Sequence, residues 1–205
     1  TGKLAVSKDN FIFSKNKRRI TNHYSDSVTQ LLRYKNDTIL ISSKTLNIDN
    51  PKLNCRINGM EKHSPKRVIL DKNLTTKQNS YVFRTANTTN TTIIYSKGTK
   101  RKINQFKKRG FKLIKLTNKS NGFFDLKLIL KKIYLNGCRN LLVEGGKTLT
   151  NSFIKDNLFN QFFLFRSDIN LGKNAKLNVA SQLRHLRFKY KTKSKLNTFT
   201  GNDII

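Results

Sequence analysis

The sequence predicts an α/β fold, and three observations carry that expectation. Apolar or β-branched runs of strand length recur at residues 38–42, 67–70, 92–95, 111–116, 140–143 and 161–166. Helical stretches lie between several of them. The clearest is residues 124–135, where Leu126, Ile129, Leu130 and Ile133 fall at i, i+3, i+4 and i+7, with Gly137 placed to take a left-handed C′ position. A hydrophobic fraction of 36% over 205 residues is enough to bury a core, so residues 1–205 are expected to form a single domain.

Taken in order, residues 4–7 and 11–13 read as short strands around a turn at Lys8-Asp9-Asn10. Ser25-Asp26-Ser27 offers an N-cap to a helix with Val28, Leu31 and Leu32 on one face, ending near Asn36-Asp37. Residues 38–42 follow as a buried strand. Residues 45–56 contain Asn47-Ile48-Asp49-Asn50-Pro51, which is expected to continue neither strand nor helix and to form a shaped loop. Residues 67–70, 81–84, 92–95 and 111–116 read as strands, and residues 99–108 as a weak helix. Then come a strand at 140–143, a helix at 148–157 and a strand at 161–166. The tail from Arg187 reads as a β-hairpin around Lys193-Ser194-Lys195. No internal repeat and no Pro- or Ser-rich linker interrupts this order.

Composition narrows the function. No apolar stretch approaches the roughly 18 residues a membrane helix needs, and no charged-then-apolar leader opens the chain, so a soluble, cytoplasmic protein is expected. The opening Thr1 and the strand-like Lys3-Leu4-Ala5-Val6 suggest a cut inside a longer polypeptide, with a domain upstream. Cys55 and Cys138 stand alone, which fits a reducing compartment, and His23, His63 and His185 are scattered, so no metal is expected. The 42 Lys and Arg against 11 Asp and Glu give +31, a field that attracts any polyanion. The lysines are spread through every segment beside abundant Asn, Ile, Phe and Thr, so biased codon composition accounts for them without a nucleic-acid ligand.

Two segments carry chemistry. Leu141-Leu142-Val143-Glu144-Gly145-Gly146-Lys147-Thr148-Leu149 runs from an apolar strand through two glycines into a helix. Such a turn lets a ligand approach the backbone and directs free N–H groups at an anion. Glu144 adds an ionisable group at the carboxyl end of a strand, where open α/β sheets place their sites. The second segment, residues 45–56, sets Asp49, a proline bend and Arg56 in one stretch. Arg56 and Arg33, at the end of the first helix, suit a bidentate clamp on phosphate.

At these residues the chain resembles a known family, the reductase domain of the riboflavin-biosynthesis deaminase/reductase, over nearly its whole length. The resemblance rests on Lys3-Leu4-Ala5-Val6-Ser7-Lys8-Asp9, on Ile20-Thr21, on Leu32-Arg33, and on residues 37–56 with their Asp49-Asn50-Pro51. It continues in Arg67-Val68-Ile69-Leu70-Asp71, in residues 143–149, and in Leu171-Gly172 after a strand. It implies a three-layer, dihydrofolate-reductase-like α/β fold, with a central mostly parallel mixed sheet and helices on both faces. It implies NADPH as cofactor and a homodimer, with a zinc deaminase domain upstream. The implied reaction is reduction of the ribosyl group of 5-amino-6-(5-phosphoribosylamino)uracil to a ribityl chain.

Carried over position by position, the resemblance implies catalytic roles for Asp49, Lys3 and Glu144. Arg33, Leu53, Arg56, Lys17 and Glu144 match substrate-binding positions. Ala5, Arg19, Thr21, Thr45, Asp49, Lys72, Gly146, Lys147, Thr148, Leu149, Thr150, Asn151 and Ser152 match the cofactor site. Lys17 stands where the family has a serine, Arg19 where it has a tryptophan that packs on the cofactor, Asn50 for a second acid and Lys72 for a serine. Two other readings are a basic nucleic-acid-binding module and a degenerate reductase kept as a scaffold. The first needs aromatics and cations clustered on one face, which the sequence lacks.

Overall fold

The computed structural model describes residues 1–14, 19–190 and 202–205. Its strands are β1 (Gly2–Val6), β2 (Phe11–Ser14), β3 (Thr38–Ser42), β4 (Lys66–Leu70), β5 (Thr91–Tyr95), β6 (Lys112–Lys115), β7 (Leu141–Glu144), β8 (Phe162–Arg166) and β9 (Ala175–Asn178). The helices are α1 (His23–Lys35), α2 (Ser43–Asp49), α3 (Tyr81–Arg84), α4 (Lys100–Arg109), α5 (Leu126–Leu135), α6 (Lys147–Lys155) and α7 (Ala180–Lys189). Seven strands form one sheet in the order β6-β5-β4-β3-β7-β1-β8, and β2 pairs with β9 in a separate antiparallel ribbon. The pairs β1–β7, β1–β8, β3–β4, β4–β5 and β5–β6 are parallel. The expected α/β class and mostly parallel sheet are therefore present. Among the described residues no helix is long and apolar enough to cross a membrane.

The chain divides into two compact units, Thr1–Leu31 with Val143–Ile205, and Leu32–Leu142. In the second unit β3, β4 and β5 are largely buried because parallel strands inside a sheet are covered on both faces, whereas the edge strand β6 exposes both its lysines. Ile39, Leu40, Ile69, Ile93 and Ile94 are completely buried, each stabilising the fold by roughly 1.5–3 kcal/mol. Phe83, Phe106 and Phe111 pack around one another with ring centroids 5.2–5.3 Å apart. Asp37 closes the lower end of this sheet, its carboxylate accepting the N–H groups of Arg139 and Asn140 at 2.9 and 2.8 Å. In the first unit Leu4, Val6, Phe153 and Phe165 form the core.

Several sequence expectations are corrected. Residues 81–84 are helical, not a strand, because the Ser80 hydroxyl accepts the Phe83 N–H and caps a turn that a four-residue apolar run cannot announce. Residues 45–49 belong to α2, which Ser42 caps through the Thr45 N–H, so the shaped loop starts only at Asn50. α1 opens at His23, with Asn22 Oδ1 on the Ser25 N–H, two residues ahead of the expected cap. Residues 187–189 end α7 and do not open a hairpin. The expected hairpin tip at Lys193-Ser194-Lys195 lies outside the described residues, as does Lys17. Gly137 takes the expected left-handed conformation (φ 92) beyond α5.

Candidate active site

In the first unit, β1 and β7 bring two expected catalytic groups side by side. Gly2, Leu4 and Val6 are buried, while Lys3 and Ala5 occupy the half-buried face. In the parallel register Lys3 is the partner of Glu144, so a cationic and an anionic residue hold neighbouring positions on one face of the sheet. Lys3 Nζ also lies 4.8 Å from the centroid of the Phe165 ring, a cation–π contact along the same face.

Beyond Glu144 the two glycines do different work. A Cβ on Gly145 would stand 3.1 Å from the Leu149 Cβ. This glycine lets α6 fold back tightly on the strand end, and the room it leaves is filled by Leu149. Gly146 is the extended N-cap residue of α6 and, as a glycine, carries no side chain to cap it. Its first-turn N–H groups need partners from outside the helix. Together with the positive end of the helix dipole they suit a phosphate or pyrophosphate. Among the other expected cofactor residues, Leu149 and Thr150 are buried, and the Thr150 N–H is taken by the Gly146 carbonyl at 3.1 Å, so of the two only the Leu149 backbone N–H can serve a ligand. Thr150 Oγ1 donates to the Gly145 carbonyl and Ser152 Oγ to that of Thr148. Lys147 and Asn151 are half-buried and Thr148 is exposed.

The same unit ties two distant motifs together at Asp9. Its carboxylate accepts the Ser7 hydroxyl at 2.5 Å and the Gly172 and Leu171 N–H groups at 2.8 and 3.1 Å. Burial alone raises its pKa, but the Ser7 hydroxyl and the Gly172 and Leu171 N–H groups outweigh that and hold it below the ordinary value. A depressed folded-state pKa contributes stability that is complete above the unfolded value, about 3.9, and is lost as pH falls through the folded one. The stability gap between the wild type and Asp9→Asn, measured by urea unfolding, is therefore expected to be widest above about pH 5 and to narrow on acidification. A gap that widened in acid would refute this. Thr21 lies half-buried in the bend before α1, and Arg19 is exposed and paired with Asp26 at 3.1 Å.

In the second unit, α2 carries Thr45, half-buried, and ends in the exposed Asp49. Asn50 follows in the left-handed region (φ 44), where asparagine is tolerated, and its Oδ1 accepts the Tyr81 N–H at 2.7 Å. The asparagine at this position thus has a structural reason. Leu53 is also left-handed (φ 58), at a cost of roughly 1–2 kcal/mol for a leucine, yet it is 1% exposed. Such strain persists only where the surroundings over-determine it. Next to it Asn54 gathers both expected phosphate ligands: Arg33 donates to its carbonyl at 3.3 Å and Arg56 to its Oδ1 at 3.4 Å. Arg33 is buried and Arg56 exposed.

Lys72 donates to the Gly122 carbonyl at 3.0 Å. Residues 71–77 are fastened to α2 by Asn47, which donates to the Thr75 carbonyl and accepts from the Lys77 N–H, both at 2.9 Å. Arg67, at the head of the Arg67-Val68-Ile69-Leu70-Asp71 run, is a scaffold group. It is buried on Thr85 and Asn90 oxygens, and burial lowers its pKa to about 10, which leaves it charged at neutral pH. Sequence reasoning missed Asn54, Asn47 and the carboxylate of Asp9 as organisers. All three act across long stretches of chain, and only the placing of Asp9 and of Leu171-Gly172 in the family pattern hinted at one of these links.

The chain is thus an α/β domain whose mostly parallel sheet sets a cation and a carboxylate on adjoining strands, with a helix opening on a glycine just beyond. Residues 2–200 match the RibD C-terminal domain family, and the chain belongs to it. The riboflavin biosynthesis protein RibD of Aquifex aeolicus is 28% identical over 186 residues, which cover 91% of this chain and 50% of that protein. The chain spans about half the length of the curated relatives it matches. The diaminohydroxyphosphoribosylaminopyrimidine deaminase/5-amino-6-(5-phosphoribosylamino)uracil reductase of Thermotoga maritima aligns over 99% of this chain and 54% of its own, with TM-score 0.68 and 22% identity. The Saccharomyces cerevisiae riboflavin biosynthesis reductase Rib7 aligns over 99% and 85%, with TM-score 0.67 and 18% identity. At these identities the structural likeness speaks for the fold.

Proposed function

We propose that this chain is a reductase of riboflavin biosynthesis that converts the ribosyl group of 5-amino-6-(5-phosphoribosylamino)uracil to a ribityl chain with NADPH. The observation that carries the reading is the Lys3–Glu144 pair on adjoining strands, followed at once by the start of α6 at a glycine cap. The N–H groups of that first turn fit the pyrophosphate of a dinucleotide, and Ala5, Arg19, Thr21, Thr45, Asp49, Lys72 and residues 146–152 are the positions assigned to the cofactor. The nicotinamide cofactor supplies a hydride. The chain's own task is to open the sugar ring so that C1′ becomes an imine-like acceptor. That requires a proton delivered at O4′ and a charge balanced at the nitrogen, work for Asp49, Lys3 and Glu144. Arg33 and Arg56, gathered by Asn54, are assigned to the substrate phosphate, beside Leu53.

The reading includes a homodimer, a cytoplasmic setting in keeping with the two free cysteines, and a deaminase domain on the same polypeptide, as the names of the bifunctional relatives suggest. Thermal melting tests the cofactor part. NADPH at 100 times its Kd is expected to stabilise the fold by about 2.7 kcal/mol, or about 5–10 °C for a chain of this size, with a smaller rise in NADH. No shift at millimolar NADPH would end the proposal.

A further inference from the structure

The last residues of the chain make a polar contact that the assigned site does not use. Asp203 is 4% exposed. Its Oδ2 accepts the Ser25 hydroxyl at 2.6 Å and the Asn22 backbone N–H at 2.8 Å. Behind it, Ile204 exchanges two backbone hydrogen bonds with Arg166 of β8, at 2.7 and 2.8 Å, and Ile205 is buried. The acid is thus delivered by a segment anchored to a sheet edge. It also lies past residue 200, where the family match ends.

Helix capping alone does not account for this acid. α1 already has a local cap, since Asn22 Oδ1 accepts the Ser25 N–H at 3.0 Å. What Asp203 adds lies one residue earlier. The Asn22 N–H shares a planar peptide with the Thr21 carbonyl, so a bond that fixes the N–H also fixes the backbone of Thr21. The positive end of α1 and the Ser25 hydroxyl in turn keep the carboxylate aimed at that peptide. We infer that Asp203 is a positioning residue for the nicotinamide cofactor, holding the Thr21 bend in its binding conformation. This rests on the proposed assignment of Thr21 to the cofactor.

NADPH affinity, read by titrating the cofactor's own fluorescence, tests the inference. Asp203→Ala is expected to raise the Kd about tenfold, the loss of one hydrogen bond to a charged group, while the KM of the ribosylaminouracil phosphate moves less than about twofold. Asp203→Asn keeps an acceptor oxygen and should restore most of the affinity. Ser25→Ala removes only the hydroxyl donor and should cost about threefold, which decides the matter even if Asp203→Ala fails to fold. Asp37→Asn is the control for general destabilisation: it should lower the melting temperature and leave the Kd unchanged. The inference is overturned if Asp203→Ala melts lower yet binds NADPH as the wild type does, or if Asp37→Asn weakens binding as much. A wild-type protein that binds no NADPH would instead remove the cofactor assignment itself, a result visible before any variant is made.

Discussion

Asp49→Asn is expected to lower kcat by about 10²- to 10⁴-fold, the range that a positioned proton-transfer group contributes. The fold should survive, because Asp49 is the exposed last residue of α2 and the substitution is isosteric. Surface changes of this kind usually stay within about 0.5 kcal/mol. The left-handed turn at Asn50 that follows, pinned by the Tyr81 N–H, does not depend on the charge next to it. NADPH should therefore still raise the melting temperature of the variant while turnover, followed by cofactor oxidation and formation of the ribityl product, collapses. Retained turnover would remove Asp49 from the proton chemistry. Loss of both turnover and the melting shift would point to a binding role instead.

The sequence showed the sheet better than it showed the helices. β3 was legible to the residue because its uninterrupted apolar run, Thr38-Ile39-Leu40-Ile41, is what burial on both faces demands. α2 was hidden by Pro51, which marks where a helix must have stopped but says nothing of the seven residues before the bend. β9 and α7 were missed for a different reason. β9 is exposed along most of its length and among the described residues pairs only with β2, and α7 opens after Val179, an N-cap residue whose side chain cannot cap it. At the candidate site, motif spacing named the residues to look at, whereas the links that organise them were not legible. Asn54 under two arginines, Asp9 under Leu171-Gly172 and Asp203 under Asn22 each join positions that only the folded chain makes neighbours. The net charge of +31 named no site, since cations spread through every segment raise the field without building one.

The largest loss of stability is expected from Asp71→Ala, about 3–5 kcal/mol, or about 10 °C in Tm. Asp71 is completely buried, and its two oxygens accept four hydrogen bonds. Oδ1 takes the N–H and hydroxyl of Thr75 at 2.8 and 2.9 Å, and Oδ2 those of Thr76 at 2.7 and 2.8 Å. Thr75 can turn to water when the carboxylate is gone, but Thr76 is 4% exposed and cannot. Asp71→Asn should be nearly as damaging, because its amide N–H groups would face two donors from one of the threonines. The consequence should also reach function. Thr75 and Lys77 are bound to Asn47 of α2, the helix that carries Thr45 and Asp49, so a loosened 71–77 loop removes a brace from both. Below its melting temperature the variant is expected to show a raised KM for NADPH as well as the stability loss seen in urea. A cost under about 1 kcal/mol would mean that the four bonds are replaced by water and that the loop is not the brace described.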